Sequence, residues 1–224
     1  MARTATTTQS RIDATAAKLT ELIVSRRLLP NQRLVEVELS EMLETNRANI
    51  RTALALLEQT GLVVSTPNRG ARVRLVTGDE ALEIMEARGA LEILVVRRAA
   101  ERATKADRAK IRRLLTEMRT ALRAGDLILY SDLNGKLHEE FYRIASMPTV
   151  ARLLTSLKSQ LVRFNYRPAL IPGRAQQSLV EHTELAEAVC AGDPRRAEKA
   201  LREHLKQVLV ALQKIIRDNE RTFL

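Results

Sequence analysis

The chain has 224 residues, of which 45% are hydrophobic, and its formal net charge is +10 at neutral pH. This length suits one large domain or two smaller ones with buried cores. The lack of any run of about eighteen apolar residues argues against a membrane-spanning helix, and the N-terminus lacks the apolar stretch of a secretory signal. The lone Cys190 excludes an internal disulfide, so we expect a cytoplasmic protein in which Cys190 is a small core residue.

The basic surplus is concentrated in one part of the first third of the chain. Residues 1–77 hold 11 Lys and Arg against 7 Asp and Glu, and residues 78–224 hold the other 26 and 20. Within residues 45–74 a single acid, Glu58, accompanies five arginines: Arg47, Arg51, Arg69, Arg72 and Arg74. Such a local bias indicates a polyanionic partner more strongly than the global charge does.

The first elements along the chain are short and mostly helical. Apolar residues recur with helical spacing from Ser10 to Arg27, and again from Val35 to Leu43 after the break "LLPNQRL". Asn46 is a suitable N-cap for a third helix over Arg47–Gln59, which Gly61 ends.

Two strands separated by a turn are predicted after the third helix. The runs "LVVST" and "ARVRLV" flank the turn "PNRG", and the second run alternates arginine with apolar residues. Together these runs predict a two-stranded hairpin with Arg69 at its tip. Three helices and a basic hairpin predict a winged helix-turn-helix.

The same residues carry a resemblance to a known family. The stretches "LLPNQRLVEVELSEML", "RANIRTALALLEQTGLV" and "PNRGARV" resemble the N-terminal domain of the GntR family of bacterial transcription regulators. About sixty residues are covered. The family's usual "GVSRTPVR" stands here as "LETNRANIR", with Asn46 at the capping serine and Asn49 at the proline. The fold implied by the resemblance is unaffected by these departures, whereas the base preference is open to change.

A helix in the major groove reads bases near its N-terminus, which identifies candidate contacts here. Arg47 would grip a guanine or a phosphate, Arg51 follows one turn later, and Asn49 would pair with adenine if it points into the groove. Asn46 would cap the helix and leave backbone N–H groups near a phosphate. The full predicted DNA-binding set is Arg33, Asn46, Arg47, Ala48, Asn49, Arg51, Arg69 and Gly70.

Beyond about residue 78 the pattern is almost continuously helical. Six helices are predicted, over 79–102, 105–124, 126–145, 148–166, 173–191 and 194–219. We therefore expect a mainly α protein with a winged helix-turn-helix at 8–77 and an all-α helical bundle at 78–220.

All three histidines of the chain lie on inward stripes of three different predicted helices. His138 aligns with Phe141, His182 with Leu179 and Ala186, and His204 with Leu201 and Val208. A buried imidazole needs a partner, and helical bundles build metal sites from facing helices. A lone inward histidine is more often an ordinary core residue, so both interpretations stay open at this point.

A second resemblance bears on these histidines. "MEARGALEILVVRRAA", "NGKLHEEFYRIA" and "EHTELAEAVCAGDPRRAEKALREHL" resemble the FCD effector domain of FadR-like GntR regulators. In metal-binding members an Asp or Asn and three His hold one divalent cation, which implies the ligands Asn134, His138, His182 and His204 for a metal such as Zn or Ni. The neutral Asn134 would be a weaker ligand than a carboxylate.

The resemblance also implies a small organic acid as effector. Arg88 and Arg163 could pair with its carboxylate, or each could instead be bonded to a glutamate. We expect a regulator that is not an enzyme and that binds a near-palindromic double-stranded operator as a homodimer. Its expected action is repression.

Two other functions are less consistent with the sequence than a transcription regulator. A metalloenzyme built on the three histidines would need a positioned acid or base, and Glu139 and Glu181 point away from the neighbouring histidines on a helical wheel. An RNA-binding or structural helical protein is disfavoured because the three Phe and three Tyr do not cluster in the basic region.

Overall fold

The computed structural model describes residues 2–25, 27–67, 69–161 and 171–222, with side chains between residues 10 and 218 of those ranges. Contacts divide the chain into two compact units. The first comprises residues 1–77 with 156–163, and the second comprises residues 78–155 with 164–224. None of the described helices is both long and apolar enough to cross a bilayer.

The first unit combines three helices with a small sheet. In chain order its elements are α1 (Ala2–Val24), β1 (Arg33–Leu34), α2 (Glu36–Met42), α3 (Arg47–Gln59), β2 (Val63–Thr66) and β3 (Gly70–Val73). The strands are antiparallel in the order β1-β3-β2, with Arg33 opposite Arg72 and Val63 opposite Val73. This arrangement is a winged helix-turn-helix.

Apolar side chains from all three helices and the sheet form one core in this unit. Leu19, Leu39, Ile50 and Leu57 are nearly inaccessible and pack together with Val63. Burying each of these side chains contributes roughly 1.5–3 kcal/mol. Gly61 adopts a φ of +74° directly after α3, as a left-handed helix stop requires, and turns the chain into β2.

Two features of this unit differ from the sequence prediction. Helix α1 begins at Ala2 rather than near Ser10, and the predicted two-stranded hairpin has a third strand, β1. Backbone hydrogen bonds from Asn31 N to Val73 O (2.9 Å) and from Val73 N to Gln32 O (3.0 Å) flank β1. The short strand therefore joins the segment before α2 to the wing.

The second unit is helical in every described element. It contains α4 (Gly78–Arg102), α5 (Lys105–Arg123), α6 (Leu127–Ala145), α8 (Arg174–Ala191) and α9 (Pro194–Thr222), and α7 (Pro148–Gln160) begins in it. Among these, α4 packs on α6, α8 and α9, and α5 packs on α6 and α8. Phe141, Leu137, Ile111 and Leu201 are fully buried between them. The mainly α fold class is confirmed.

The start of α5 shows how local sequence fixes a helix end. Thr104 and Asp107 form a capping box, in which Asp107 N donates to Thr104 Oγ1 (3.2 Å) and Asp107 Oδ2 accepts from Thr104 N (2.9 Å). Asp107 also accepts from Arg143 on α6. The Thr104 hydroxyl, followed by its backbone N–H, is the main reason that the pKa of Asp107 falls to about 2.

Replacing Asp107 with alanine should destabilise the chain in a pH-dependent way. The folded pKa of about 2 lies below the ordinary value of 3.8, so the carboxylate stabilises the fold fully above pH 3.8 and loses that contribution as the pH falls towards 2. We expect a loss of about 1 kcal/mol at pH 7 that shrinks below about pH 4. Urea unfolding of parent and Asp107→Ala across this pH range measures it.

The matched control is Glu101→Ala, which removes a surface carboxylate paired with Arg98 (2.9 Å) near the end of α4. Its effect should stay within about 0.5 kcal/mol at every pH. A loss in Asp107→Ala that is the same at pH 7 and near pH 2 would contradict the assignment of this stability to the ionised carboxylate.

Candidate functional site

The start of α3 is organised by Asn46. The Asn46 side chain accepts a hydrogen bond from Asn49 N (2.8 Å), and Asn46 itself is extended and exposed. The cap satisfies one N–H of the first turn and leaves its neighbours at an exposed helix N-terminus, where the helix dipole favours an anion. The structure therefore places Asn46 where the sequence predicts it.

Arg47 and Arg51 lie on the exposed side of α3 and share one acidic partner on α2. Arg51 Nε and Nη2 donate to the two oxygens of Glu36 at 2.9 and 2.8 Å, and Arg47 Nη2 lies 3.5 Å from Glu36 Oε2. The Arg51 hydrogen bond is the largest cause of the lowered pKa of Glu36. With side chains 61% and 70% exposed, both arginines present positive charge to solvent.

The side chain of Asn49 is not placed as an adenine contact would require. Its side chain is buried, and Asn49 Nδ2 donates to Thr45 Oγ1 at 3.0 Å. The adenine contact was conditional on Asn49 pointing into the groove, and in this structure its amide is instead buried and hydrogen-bonded one turn back. Ala48, its neighbour, is exposed and remains on the outer face of α3.

The wing residues predicted to contact DNA are all on the surface. Arg69 and Gly70 are exposed, and Gly70 has a φ of +77° with open space around it. Arg33 is exposed on β1. Glu58 at the end of α3 accepts from Ser65 N (3.0 Å) and Ser65 Oγ (2.9 Å), so β2 is held to α3.

The three histidines of the second unit form one cluster, as their inward stripes indicated. One nitrogen of each ring lies within 4.8 Å of the corresponding nitrogen of the other two rings, which come from α6, α8 and α9. His138 Nε2 is 3.1 Å from His182 Nε2, and the ring centroids of His182 and His204 are 4.3 Å apart. His182 is fully buried and His204 nearly so, whereas His138 is half-buried.

Hydrogen bonds hold two of these rings by the nitrogen that faces away from the cluster. His182 Nδ1 donates to Ser178 O (2.7 Å), and His204 Nδ1 donates to Glu181 Oε2 (2.7 Å). Each bond leaves Nε2 as the lone-pair nitrogen, which is the form a metal ligand needs. Burial, followed by the repulsion that protonated His204 and His138 would exert, lowers the pKa of His182 well below its usual value and favours the neutral imidazole.

The side chain of Asn134 has a buried oxygen without a hydrogen-bond partner among the described residues. Asn134 precedes His138 by one turn of α6. A buried oxygen left unpaired costs about 1–3 kcal/mol unless something binds it. Nitrogens bound to one zinc ion, each at about 2.0–2.1 Å, lie about 3–4 Å apart. The three histidines, with one nitrogen each within 4.8 Å of the others, are compatible with a small divalent cation.

Of the two arginines predicted to bind the effector, the structure describes only Arg88. Arg88 on α4 is mostly buried, and its Nε lies 3.1 Å from Glu92 Oε1, which also accepts from Tyr142 Oη (2.9 Å). The glutamate-bonded alternative is therefore realised for Arg88. Arg163 lies outside the described residues. Sequence reasoning missed two partners, Glu36 and Glu181, because both act on residues of other helices.

Both halves of the chain match known protein families. Residues 11–73 match the family described as "Bacterial regulatory proteins, gntR family", and residues 83–207 match the FCD domain. The chain belongs to the GntR family of bacterial regulatory proteins. Its FCD domain gives it the FadR-like architecture that the sequence motifs indicated.

Several characterised proteins are similar over most of this GntR-family chain. The HTH-type transcriptional repressor RspR of Escherichia coli K12 is 24% identical over 201 residues, covering 90% of this chain and 88% of RspR. The Nta operon transcriptional regulator of Aminobacter aminovorans is 30% identical over 148 residues, covering 65% and 67%. The solved structure of E. coli McbR/YncC has the same fold, with a TM-score of 0.78, 22% identity and coverage of 91% and 97%.

The family and the relatives determine the class of function. They are regulators of transcription, and the two domains are those of a regulator rather than an enzyme. The metalloenzyme alternative is therefore not supported. GntR regulators bind DNA operators, and the FCD domain suggests a small-molecule effector.

Proposed function

We propose that this GntR regulator is a cytoplasmic repressor that binds a near-palindromic operator as a homodimer and responds to a small organic acid through a metal-containing FCD domain. The observation that supports the sensing part is the cluster of three histidines, together with the unpaired oxygen of Asn134 one helical turn before His138. Repression is supported by the relative RspR, which is described as a repressor. A two-fold dimer matches a palindromic site because each protomer reads one half.

In the proposed DNA complex α3 enters the major groove. Arg47 and Arg51 are the exposed cations near its start, Ala48 faces the same groove, and Asn46 leaves N–H groups for a phosphate. Arg33 and Arg69 would hold phosphates or enter the minor groove on either side, and Gly70 would allow close backbone approach. Asn49 takes a structural role, holding Thr45 against the helix start.

In the proposed sensing site Asn134, His138, His182 and His204 would hold the cation. A bound dication supplies a Lewis-acidic position at which an organic anion can bind. Glu181 and Ser178 orient two of the rings through their outer nitrogens, which keeps the donor atoms turned inward. Arg88 and Arg163 stay predicted effector contacts, with Arg88 shared with Glu92.

A gel shift across salt concentrations tests the DNA-binding part. The full chain, with the DNA upstream of its own gene, should bind more tightly than it binds a scrambled duplex of equal length. Affinity should fall steeply with salt, because each phosphate neutralised contributes a slope of about −0.9 in log K against log salt. Equal affinity for both duplexes at all salt concentrations would reject an operator-specific regulator.

A further inference from the structure

A surface groove of the second unit, the α5–α8 groove, runs between these two helices. Leu122 from α5 lines it together with Leu179 and Val180 from α8, and Val180 is 70% exposed. Arg119 and Arg123 of α5 line the same groove. Neighbouring apolar side chains that stay accessible within a polar rim are typical of a surface that another molecule covers.

The α5 edge of the groove is positively charged. Arg112, Arg119 and Arg123 follow one another at spacings of seven and four residues, which places them on one side of the helix. All three are exposed, and none of them makes an ion pair with a described residue. On the next face of α5, by contrast, Arg113 is bound to Glu117 at 2.9 Å. The α5 edge therefore has positive charge that is available to an acidic partner.

The α8 edge has the complementary character. Val180, Glu184 and Glu187 recur at helical spacing on one exposed side of α8. The side chains of Glu184 and Glu187 are 50% and 59% exposed, and they share Arg196 of α9 at 2.8 and 3.6 Å. Two carboxylates on one guanidinium retain acceptor sites for a further cation. The same groove thus carries both a cationic edge and an acidic, partly apolar helix face.

The two helices run in opposite directions along the groove. Cys190 Sγ of α8 lies 3.8 Å from Arg108 O of α5. Arg119 comes eleven residues after Arg108, Leu179 comes eleven residues before Cys190, and both line the groove. Because the rise per residue is the same in both helices, Arg119 is level with Leu179. By the same count Arg112 is level with the stretch of α8 that carries the two glutamates.

We propose that two copies of this chain pair through the α5–α8 groove, about a two-fold axis that runs along it. Such an axis leaves every residue at its own level and lays α5 of one protomer over α8 of the other. Arg112 of each protomer then meets Glu184 and Glu187 of the other. Arg119 lies roughly 8 Å of helix rise from that Glu184, a span that two long side chains bridge. The apolar side chains of the two grooves face one another between these charge pairs.

A second copy fits this groove better than an unrelated acidic protein does. The cations and the acids that would pair lie on one surface of one chain, at matching levels, which is the self-complementarity that a two-fold interface requires. This inference rests on the homodimer of the proposed function, and it names the surface and the charge pairs that would join the protomers.

Sedimentation equilibrium of the full chain with charge-reversed edges tests the proposal. One variant carries Arg112→Glu and Arg119→Glu, and the other carries Glu184→Arg and Glu187→Arg. In each variant alone like charges face one another, so the dissociation constant of the dimer should rise about tenfold or more. An equal mixture of the two variants restores opposite charges at both contacts. The variants should therefore pair with each other more tightly than either pairs with itself.

Two further variants separate a change of interface from a change of fold. Arg113→Glu reverses a charge on another face of α5, where the side chain is 82% exposed, and should leave dimerisation unchanged. Val180→Glu places a charge among the apolar side chains of the groove at an exposed position, so it should weaken the dimer even if a charge-reversed variant does not fold. Parental dimerisation in folded Val180→Glu overturns the proposal.

The same measurements distinguish this inference from the proposed function. If the parent dimerises and both charge-reversed variants dimerise equally well, or if mixing them gives no preference for the mixed pair, the inference is overturned and the homodimeric regulator stands. If the parent is monomeric at every concentration, the inference and the homodimer of the proposed function fail together. The operator gel shift then still decides whether the chain binds a specific DNA sequence.

Discussion

His182→Ala should abolish metal binding by the purified chain. His182 is the fully buried member of the cluster, with its Nε2 3.1 Å from that of His138 and its ring stacked edgewise on His204. Losing a direct ligand should exceed the 10- to 100-fold loss typical of an outer partner, so we expect affinity to fall by more than about 100-fold. Elemental analysis after dialysis, and zinc competition against a chromophoric chelator, measure the change.

The neighbouring substitution Thr183→Ala is the matched control. Thr183 follows His182 on α8 but donates to Leu179 O (2.7 Å) on another face of the helix, so metal affinity should not change. His138→Ala alters the half-buried member and separates lost binding from lost folding. Asn134→Asp should change affinity in the opposite direction because it adds a charged oxygen. Parental zinc affinity in both histidine variants would reduce the cluster to core packing.

Arg47→Ala should cost roughly 1–3 kcal/mol of operator binding, which is about 5- to 150-fold, and should relax sequence preference. Arg47 is 61% exposed and touches Glu36 only at 3.5 Å, so its guanidinium is available to a base or phosphate. Arg51 is bound more closely by the carboxylate of Glu36. It cannot take over the contacts of Arg47 without breaking two hydrogen bonds. Gel shifts with operator and scrambled duplexes measure affinity and preference together.

Two substitutions test whether the position of the charge matters. Arg98→Ala removes the same charge from α4, where Arg98 is 48% exposed, and should leave operator binding nearly unchanged. Glu36→Gln frees Arg47 and Arg51 from their shared carboxylate, so preference for the operator over scrambled DNA should fall while binding to scrambled DNA rises. Equal losses from Arg47→Ala and Arg98→Ala would refute a base-reading role for Arg47.

Local signals predicted most of the helices, because their ends depend on residues close in sequence. Helix α3 begins and ends where Asn46 and Gly61 indicated, and α5 begins after the Thr104 cap. The strand β1 was missed because two residues carry no periodicity, and its pairing depends on a partner about forty residues away. The predicted helix over 148–166 is described only to Gln160.

The sequence could predict which face of a helix a candidate site residue occupies, because that depends only on spacing within the helix. Helical spacing placed the three histidines on inward faces, and the structure brings them together. Spacing could not show that Asn49 turns back to Thr45, since an amide near a helix start has two competing acceptors. The helical wheel placed Glu181 on a different face from His182, but it could not show that Glu181 accepts a hydrogen bond from His204 on the next helix.

The strand β1 has a consequence for how the first unit would meet DNA. Arg33 is paired across the sheet with Arg72, and Arg72 Nη1 donates to Asn31 O at 2.9 Å, so the backbone near Arg33 and that of the wing are ordered together. Fixing one residue's backbone costs about 1–2 kcal/mol of conformational entropy. Folding has already ordered this backbone, so binding to DNA would mainly restrict the rotamers of the exposed arginines. More of the free energy of the contacts would then appear as affinity.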